Sequence, residues 1–339
     1  MKAKPAGSLS VISKIVLLII PLIAVVAALA VGRFNISPEI IIQSIFNKFG
    51  AGYNQNVQIE IVLWAIRFPR ILLALLVGAG LSVAGCAFQS LFSNPLATPD
   101  TLGVASGACF GAALGLLLGL NLIGVQILAL VAGIGAVVLT YFSGSGEGKS
   151  GNTIVLSGIM IGSLFSALVS LVKYEADTEA QLPAIIYWLM GSLSAANYNS
   201  LLLGAPSIIL GIVILFVLRW RLNILPLSDD EAKASGTNIR LLRILTIICA
   251  TAITASCVSM CGQVGWVGLL VPHICRMKFG NNHLSLIPAS ISIGAVFMVI
   301  VDTIARSASA SEIPVSILTA LIGAPFFIFL LKRSGGWQL

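Results

Sequence analysis

The feature that most constrains this chain is its set of long stretches without charge. No Asp, Glu, Lys or Arg occurs in residues 15–32, 71–99, 101–146, 150–172, 180–218, 244–275, 284–301 or 313–331. A helix that crosses the hydrocarbon core of a bilayer takes about 20 apolar residues. The runs therefore read as membrane spans, and those of 46, 39 and 32 residues are too long for one span each. Asn121 and Gly124 divide the first of these, and Gly262 to Gly265 divide the last. In the 39-residue run, Leu182 to Met190 is short and is followed by the polar Gly191 to Ser200, which reads as a short outer helix near 182–190. The expected spans are about 11–32, 64–90, 101–119, 123–142, 153–173, 200–219, 241–260, 264–275, 285–303 and 313–331. The fold class is all-α: a polytopic membrane protein of about ten transmembrane helices, with one transmembrane domain over 1–339. Only 9% of the residues are charged, against about a quarter in a soluble domain, so a soluble reading is excluded, and the apolar excess excludes disorder.

Orientation follows from loop Lys and Arg. With the N-terminus inside, thirteen fall on the cytoplasmic side: Lys2, Lys4, Lys14, Lys149, Arg219, Arg221, Lys233, Arg240, Arg243, Arg276, Lys278, Lys332 and Arg333. Six fall outside: Arg33, Lys48, Arg67, Arg70, Lys173 and Arg306. The expectation is a multi-pass protein of the cell (inner or cytoplasmic) membrane with both termini cytoplasmic. The net charge of +7 is then an orientation signal. No nucleic-acid partner is expected.

Three patterns resemble something they are not expected to be. Residues 2–31 have the outline of a secretory signal, but the apolar run exceeds a signal core, so a retained first helix is expected. The six cysteines all fall in uncharged runs, and Cys257 and Cys261 share a face with no His or carboxylate near to complete a metal site. Buried, reduced thiols are expected, with no metal. Gly148-Lys149-Ser150 ends like a phosphate-binding loop, but Ser143 stands where its first Gly belongs and the segment follows a span instead of a strand. ATP and Mg chemistry is expected on another chain, with no cofactor on this one.

Several constellations carry more information. Gly103, Gly107, Gly111, Gly115 and Gly119 form a period-four ladder, which suits close helix packing in lipid, where small residues let backbones approach. Polar residues and two prolines interrupt the second span: Gln89, Ser90, Ser93, Asn94-Pro95-Leu96-Ala97 and Thr98-Pro99-Asp100. Irregular backbone at that depth lines protein or a watery cavity, so a gate or cavity lining is expected. Gly262 to Gly268, leading into Val271-Pro272-His273, is a second break. Capping or loop bonding is expected of His273, and an i, i+4 pair of Asp302 with Arg306. A membrane-embedded hydrolase would need a nucleophile and a His at one depth. The only histidines, His273 and His283, sit at the cytoplasmic margin. Intramembrane charge is nearly absent, which leaves a secondary transporter as a remote alternative.

These residues resemble the permease subunits of the iron-chelate and vitamin B12 class of ATP-binding-cassette importers (FecCD-type, type II). The matching pieces are Arg67-Phe68-Pro69-Arg70, Gly78 to Gly85, Gln89, Asn94-Pro95-Leu96-Ala97, Leu102-Gly103, Trp188 with Gly191-Ser192, and Leu222-Asn223. They continue with Ala232 to Gly236, Gly262 to Leu269, Pro272-His273-Ile274 with Arg276, Asp302 with Arg306, Glu312-Ile313-Pro314 and Gly323-Ala324-Pro325. The resemblance covers about residues 60–332.

It implies a transport subunit and not an enzyme, working with a second permease subunit in a homodimer, two ATP-binding subunits and a periplasmic or lipid-anchored substrate-binding protein, in membrane lipid. The cargo implied is an iron chelate (siderophore or haem), with vitamin B12 as the alternative. Carried onto this chain, Arg67, Arg70 and Arg306 would dock the binding protein. Segment 222–240 would be the cytoplasmic coupling segment, with Asp230, Glu231, Ala232 and Gly236 facing the ATPase. In it Pro226 and Ser228 would start a short helix that Gly236 ends with a positive φ. Gln89, Asn94 and Leu96, with Gly151, Asn152 and Thr153 on the loop before span five, would form the gate and pathway. The chain departs from the family pattern at Leu227-Ser228-Asp229, Ser235, Trp266 and Asn282.

Overall fold

The computed structural model describes residues 9–32, 34–48, 50, 56–144, 151–227, 231, 234–309 and 311–333. The architecture is helical, with no strand among the described residues. Among the described residues twelve helices with given bounds follow in order: α1 (Val11–Ala30), α2 (Pro38–Lys48), α3 (Val57–Leu91), α4 (Val104–Leu117), α5 (Leu122–Gly144) and α6 (Gly151–Glu175). Then come α7 (Gln181–Leu189), α8 (Tyr198–Val217), α9 (Ile239–Cys261), α10 (Val267–Phe279), α11 (His283–Ser307) and α12 (Val315–Arg333). Seven of them (α1, α3, α5, α6, α8, α9 and α11) are long and apolar enough to cross a membrane, and α4 and α12 are shorter apolar helices. The division at Asn121 holds, because the Asn121 side chain accepts from Gly124 N at 2.8 Å and starts α5. The short helix expected near 182–190 is α7.

Three boundaries differ from expectation. Helix α2 has too little apolar character to register as a span, and Pro38 begins it where a missing N–H costs nothing. Gly151 to Thr153, expected on a loop, form the first turn of α6. The second span begins earlier, at Val57, through a π-helical stretch, Ile61–Arg67, ahead of Pro69. A proline ring crowds the carbonyl four residues back and supplies no N–H. The widened turn relieves both, with Phe68 N donating to Leu63 O.

Helix α3 is the centre of the bundle, packed on α8, α9, α10 and α11. In its most apolar stretch 83% of residues are buried, against 6% in α1, which lies on the outside against α11. Lipid tails are as apolar as Leu, so hydrophobicity alone does not sort these two helices, and small residues do. A Cβ on Gly78 would stand 2.1 Å from Gly294 O of α11, and one on Gly85 would stand 1.9 Å from Gly268 O of α10. The ladder on α4 works similarly: Gly107 and Gly111 lie against Ala132 and Leu128 of α5, and Gly103 against Gly158 and Gly162 of α6. All six cysteines are buried and free.

Candidate functional site

Charge gathers at the two ends of α3, in different ways. At its beginning, Arg70 forks between two carboxylates. Its Nε and Nη2 donate to Asp302 at 2.8–3.1 Å, and its Nη1 donates to both oxygens of Glu312 at 3.0 Å. Arg306, one turn after Asp302 on α11, stands 3.9 Å from it and donates to Ala28 O. Arg67 donates to Leu29 O at 2.5 Å and also to Phe34 O. The two arginines therefore satisfy carbonyls that the last turn of α1 leaves without helical partners, where the helix dipole favours a cation. All three arginines are buried, at 5–8% exposure. Most of the donors of Arg67, Arg70 and Arg306, the residues expected to dock a binding protein, are engaged inside the chain, while Arg306 Nε has no hydrogen-bond partner among the described residues. The Asp302–Arg306 pair exists, but Arg70 is the closer partner of Asp302.

At the other end, α3 stops at Leu91 and the Pro-containing turn follows. Gln89 is buried and acts as a strut to α10, its Nε2 donating to Gly268 O at 3.2 Å and its Oε1 accepting from Arg276. Asn94 and Leu96 are exposed, and the Asn94 side chain accepts from Leu96 N at 2.9 Å, closing the turn. His283 bridges two elements: its ring nitrogens meet Ser90 Oγ at 2.5 Å and Asn223 Oδ1 at 2.9 Å. Asn282 caps α11 by accepting from Leu284 N at 3.0 Å, so the amide there does the capping work of an Asp. Between these groups lies a cavity of about 820 Å³, whose wall includes Ser93, Asn94, Asn223, His273, Arg276 and Asn282. His273 packs its ring on Phe326 and Phe327 of α12, a correction to the capping or loop bonding expected of it.

The coupling segment is partly visible. Leu222–Ile224 closes a 3-10 turn, Glu231 is helical and exposed, and Ser235 N donates to Glu231 O at 3.2 Å. Gly236 has φ +69°, the left-handed value expected of the residue ending that turn. Ser228, Asp230 and Ala232 lie outside the described residues, as do the side chains of Gly151 and Asn152 and the Gly148-Lys149-Ser150 segment. Thr153 is half-buried in the first turn of α6.

One residue escaped sequence reasoning. Asp100 sits in the 3-10 turn Pro99–Leu102, open to solvent yet ringed by Leu81, Val258 and Trp266. The signal was its place as the one acid inside the Pro-broken stretch.

A helical bundle packed on bare glycine backbone, with a paired charge cluster at one end and a roomy cavity at the other, is the build of a membrane transport component. The family model of the FecCD transport family matches residues 18–333, and the chain belongs to that family. The molybdate import system permease protein of Haemophilus influenzae is 43% identical over 317 residues, covering 92% of this chain and 94% of that one. The Fe(3+)-citrate import system permease protein of Bacillus subtilis is 35% identical over 324 residues, 94% of each chain. A solved inward-facing conformation of a transporter assigned to the metal-chelate ABC type superposes with a TM-score of 0.85 at 40% identity, covering 94% of this chain and 98% of that one. The chain is a multi-pass permease of the ABC importer kind. The relatives' names differ in cargo, so the iron chelate expected from resemblance is one reading among several.

Proposed function

We infer that this chain is one of two identical permease subunits that carry a metal-bearing cargo, as oxyanion or chelate, into the cytoplasm. The observation that carries this reading is the whole-length likeness to an inward-facing metal-chelate type transporter. Two ATP-binding subunits bind at the end bearing Glu231 and Gly236, where Asp230 and Ala232 also belong, and both termini lie on that cytoplasmic side of the cell membrane. A periplasmic or lipid-anchored binding protein lands at the opposite end, where Arg67, Arg70 and Arg306 hold α1, α3 and α11 in register. Asn94 and Leu96, with Thr153 at the head of α6, form the cytoplasmic gate, and Gln89 braces it.

The test is uptake into proteoliposomes containing this permease, its ATPase and its binding protein, with molybdate, ferric citrate, a ferric siderophore, haem and cobalamin offered separately. ATP-dependent accumulation of one metal-bearing cargo is expected. Accumulation driven by a proton or sodium gradient without the ATPase would instead establish the secondary-transporter alternative.

A further inference from the structure

Among the described residues, the Gln89–Arg276 cavity contains a charge with no counter-charge. Arg276 stands in the last turn of α10, partly buried, and among the described residues its hydrogen-bond acceptor is the neutral Gln89 Oε1. Its Nη1 is buried with no hydrogen-bond partner. Among the described residues no carboxylate lines the cavity, and the carboxylates that do pair with arginine, Asp302 and Glu312, do so at the opposite end of α3. The C-terminal dipole of α10 favours a cation there, but a dipole does not replace a counter-charge. The Ser93 hydroxyl and the His273 ring, which can donate to oxygen, line the same cavity. Arg offers a planar fork matched to carboxylates and oxyanions. A volume near 820 Å³ falls in the range that encloses a small chelate.

We propose that this cavity is an anion-binding exit site, in which Arg276 receives the cargo on the cytoplasmic side of the gate. The cargo it selects is anionic with oxygen acceptors, a metal oxyanion or a carboxylate-bearing metal chelate. The proposal rests on the importer reading and narrows its cargo. Asn94 and Pro95 border both the Pro-broken turn and the cavity, so an anion passing that turn enters the field of Arg276. A cationic complex meets the same field as a barrier.

The experiment is equilibrium dialysis of the full-length chain in lipid nanodiscs, without nucleotide, against labelled molybdate, ferric citrate or inorganic phosphate. Wild type is expected to bind molybdate or ferric citrate, Arg276→Gln to bind it at least tenfold more weakly, and Arg276→Lys to fall between them. A thermal-unfolding midpoint matched to wild type establishes that each variant is folded. Binding of phosphate alone would mean that the site serves a product of ATP hydrolysis and overturns the cargo assignment. Absence of Arg276-dependent binding for all three anions overturns the site itself. Uptake in proteoliposomes separates the two readings, because ATP-driven uptake that persists without Arg276-dependent binding sinks this proposal and leaves the importer standing.

Discussion

The two ends of α3 show what buried charge does in this molecule. Around Arg70 there are three arginines, two carboxylates and the last carbonyls of α1, and nearly every donor has an acceptor at hydrogen-bond distance. Around Arg276 there is one arginine, one neutral amide acceptor and about 820 Å³ of space. Charge matched within the chain fastens helices together. Charge left unmatched beside a cavity is arranged for something that arrives. Sequence reasoning singled out the first cluster, and the second became visible only in the packed structure.

Five changes would break or sharpen that contrast. Asp302→Ala should have the largest effect, since it strips Arg306 of its carboxylate and leaves Arg70 with Glu312 alone. Removing one member of a buried pair costs roughly 3–5 kcal/mol, so thermal unfolding in nanodiscs should drop steeply and folded yield with it. A variant as stable as wild type would mean that the cluster does not fasten the bundle. Gly85→Ala comes next. Its Cβ would meet Gly268 O at 1.9 Å, and the forced separation of α3 from α10 should cost about 1–3 kcal/mol. Because that contact frames the cavity end, uptake should fall further than stability does. Gly78→Ala, against α11, should lower stability and uptake together.

Gly236→Val acts through backbone alone, as nothing stands within 4 Å of the position a Cβ would take. Holding a β-branched residue at φ +69° costs roughly 1–2 kcal/mol, local to the coupling turn. ATP hydrolysis by the assembled importer should continue while uptake declines, and a full match to wild type in both would end the coupling role for this turn. Arg276→Gln should change stability least. One hydrogen bond to Gln89 is lost and one unmatched charge is removed, for a net change within about 1 kcal/mol. A collapse as deep as that of Asp302→Ala would place Arg276 among the structural arginines and erase the difference between the two ends.

Much of the fold was legible because hydropathy in a bilayer is a strong constraint. Every expected span has a helix beneath it, and the breaks at Asn121 and Gly262 fall where they were read. Gly236 was read with its positive φ because a helix end without a side chain to clash is a local matter. What escaped was also consistent. Helix α2 is amphipathic and short, so no apolar run announces it. His273 was given a loop bond because its aromatic partners, Phe326 and Phe327, come from a helix more than fifty residues away in the chain. Asp100 looks like an ordinary loop acid until Leu81, Val258 and Trp266 close around it.

By itself, then, the sequence determined the all-helical membrane class, the family and the transport role, because each follows from local composition or from motifs in fixed order. Only the tertiary structure decided which charges are free. The arginines at 67, 70 and 306 and the one at 276 look alike along the chain. Whether a guanidinium finds a carboxylate depends on contacts such as Arg70 with Asp302, 232 positions apart, which no local pattern encodes. Electrostatic energy depends on distance and on the surrounding dielectric, and both are set when helices pack.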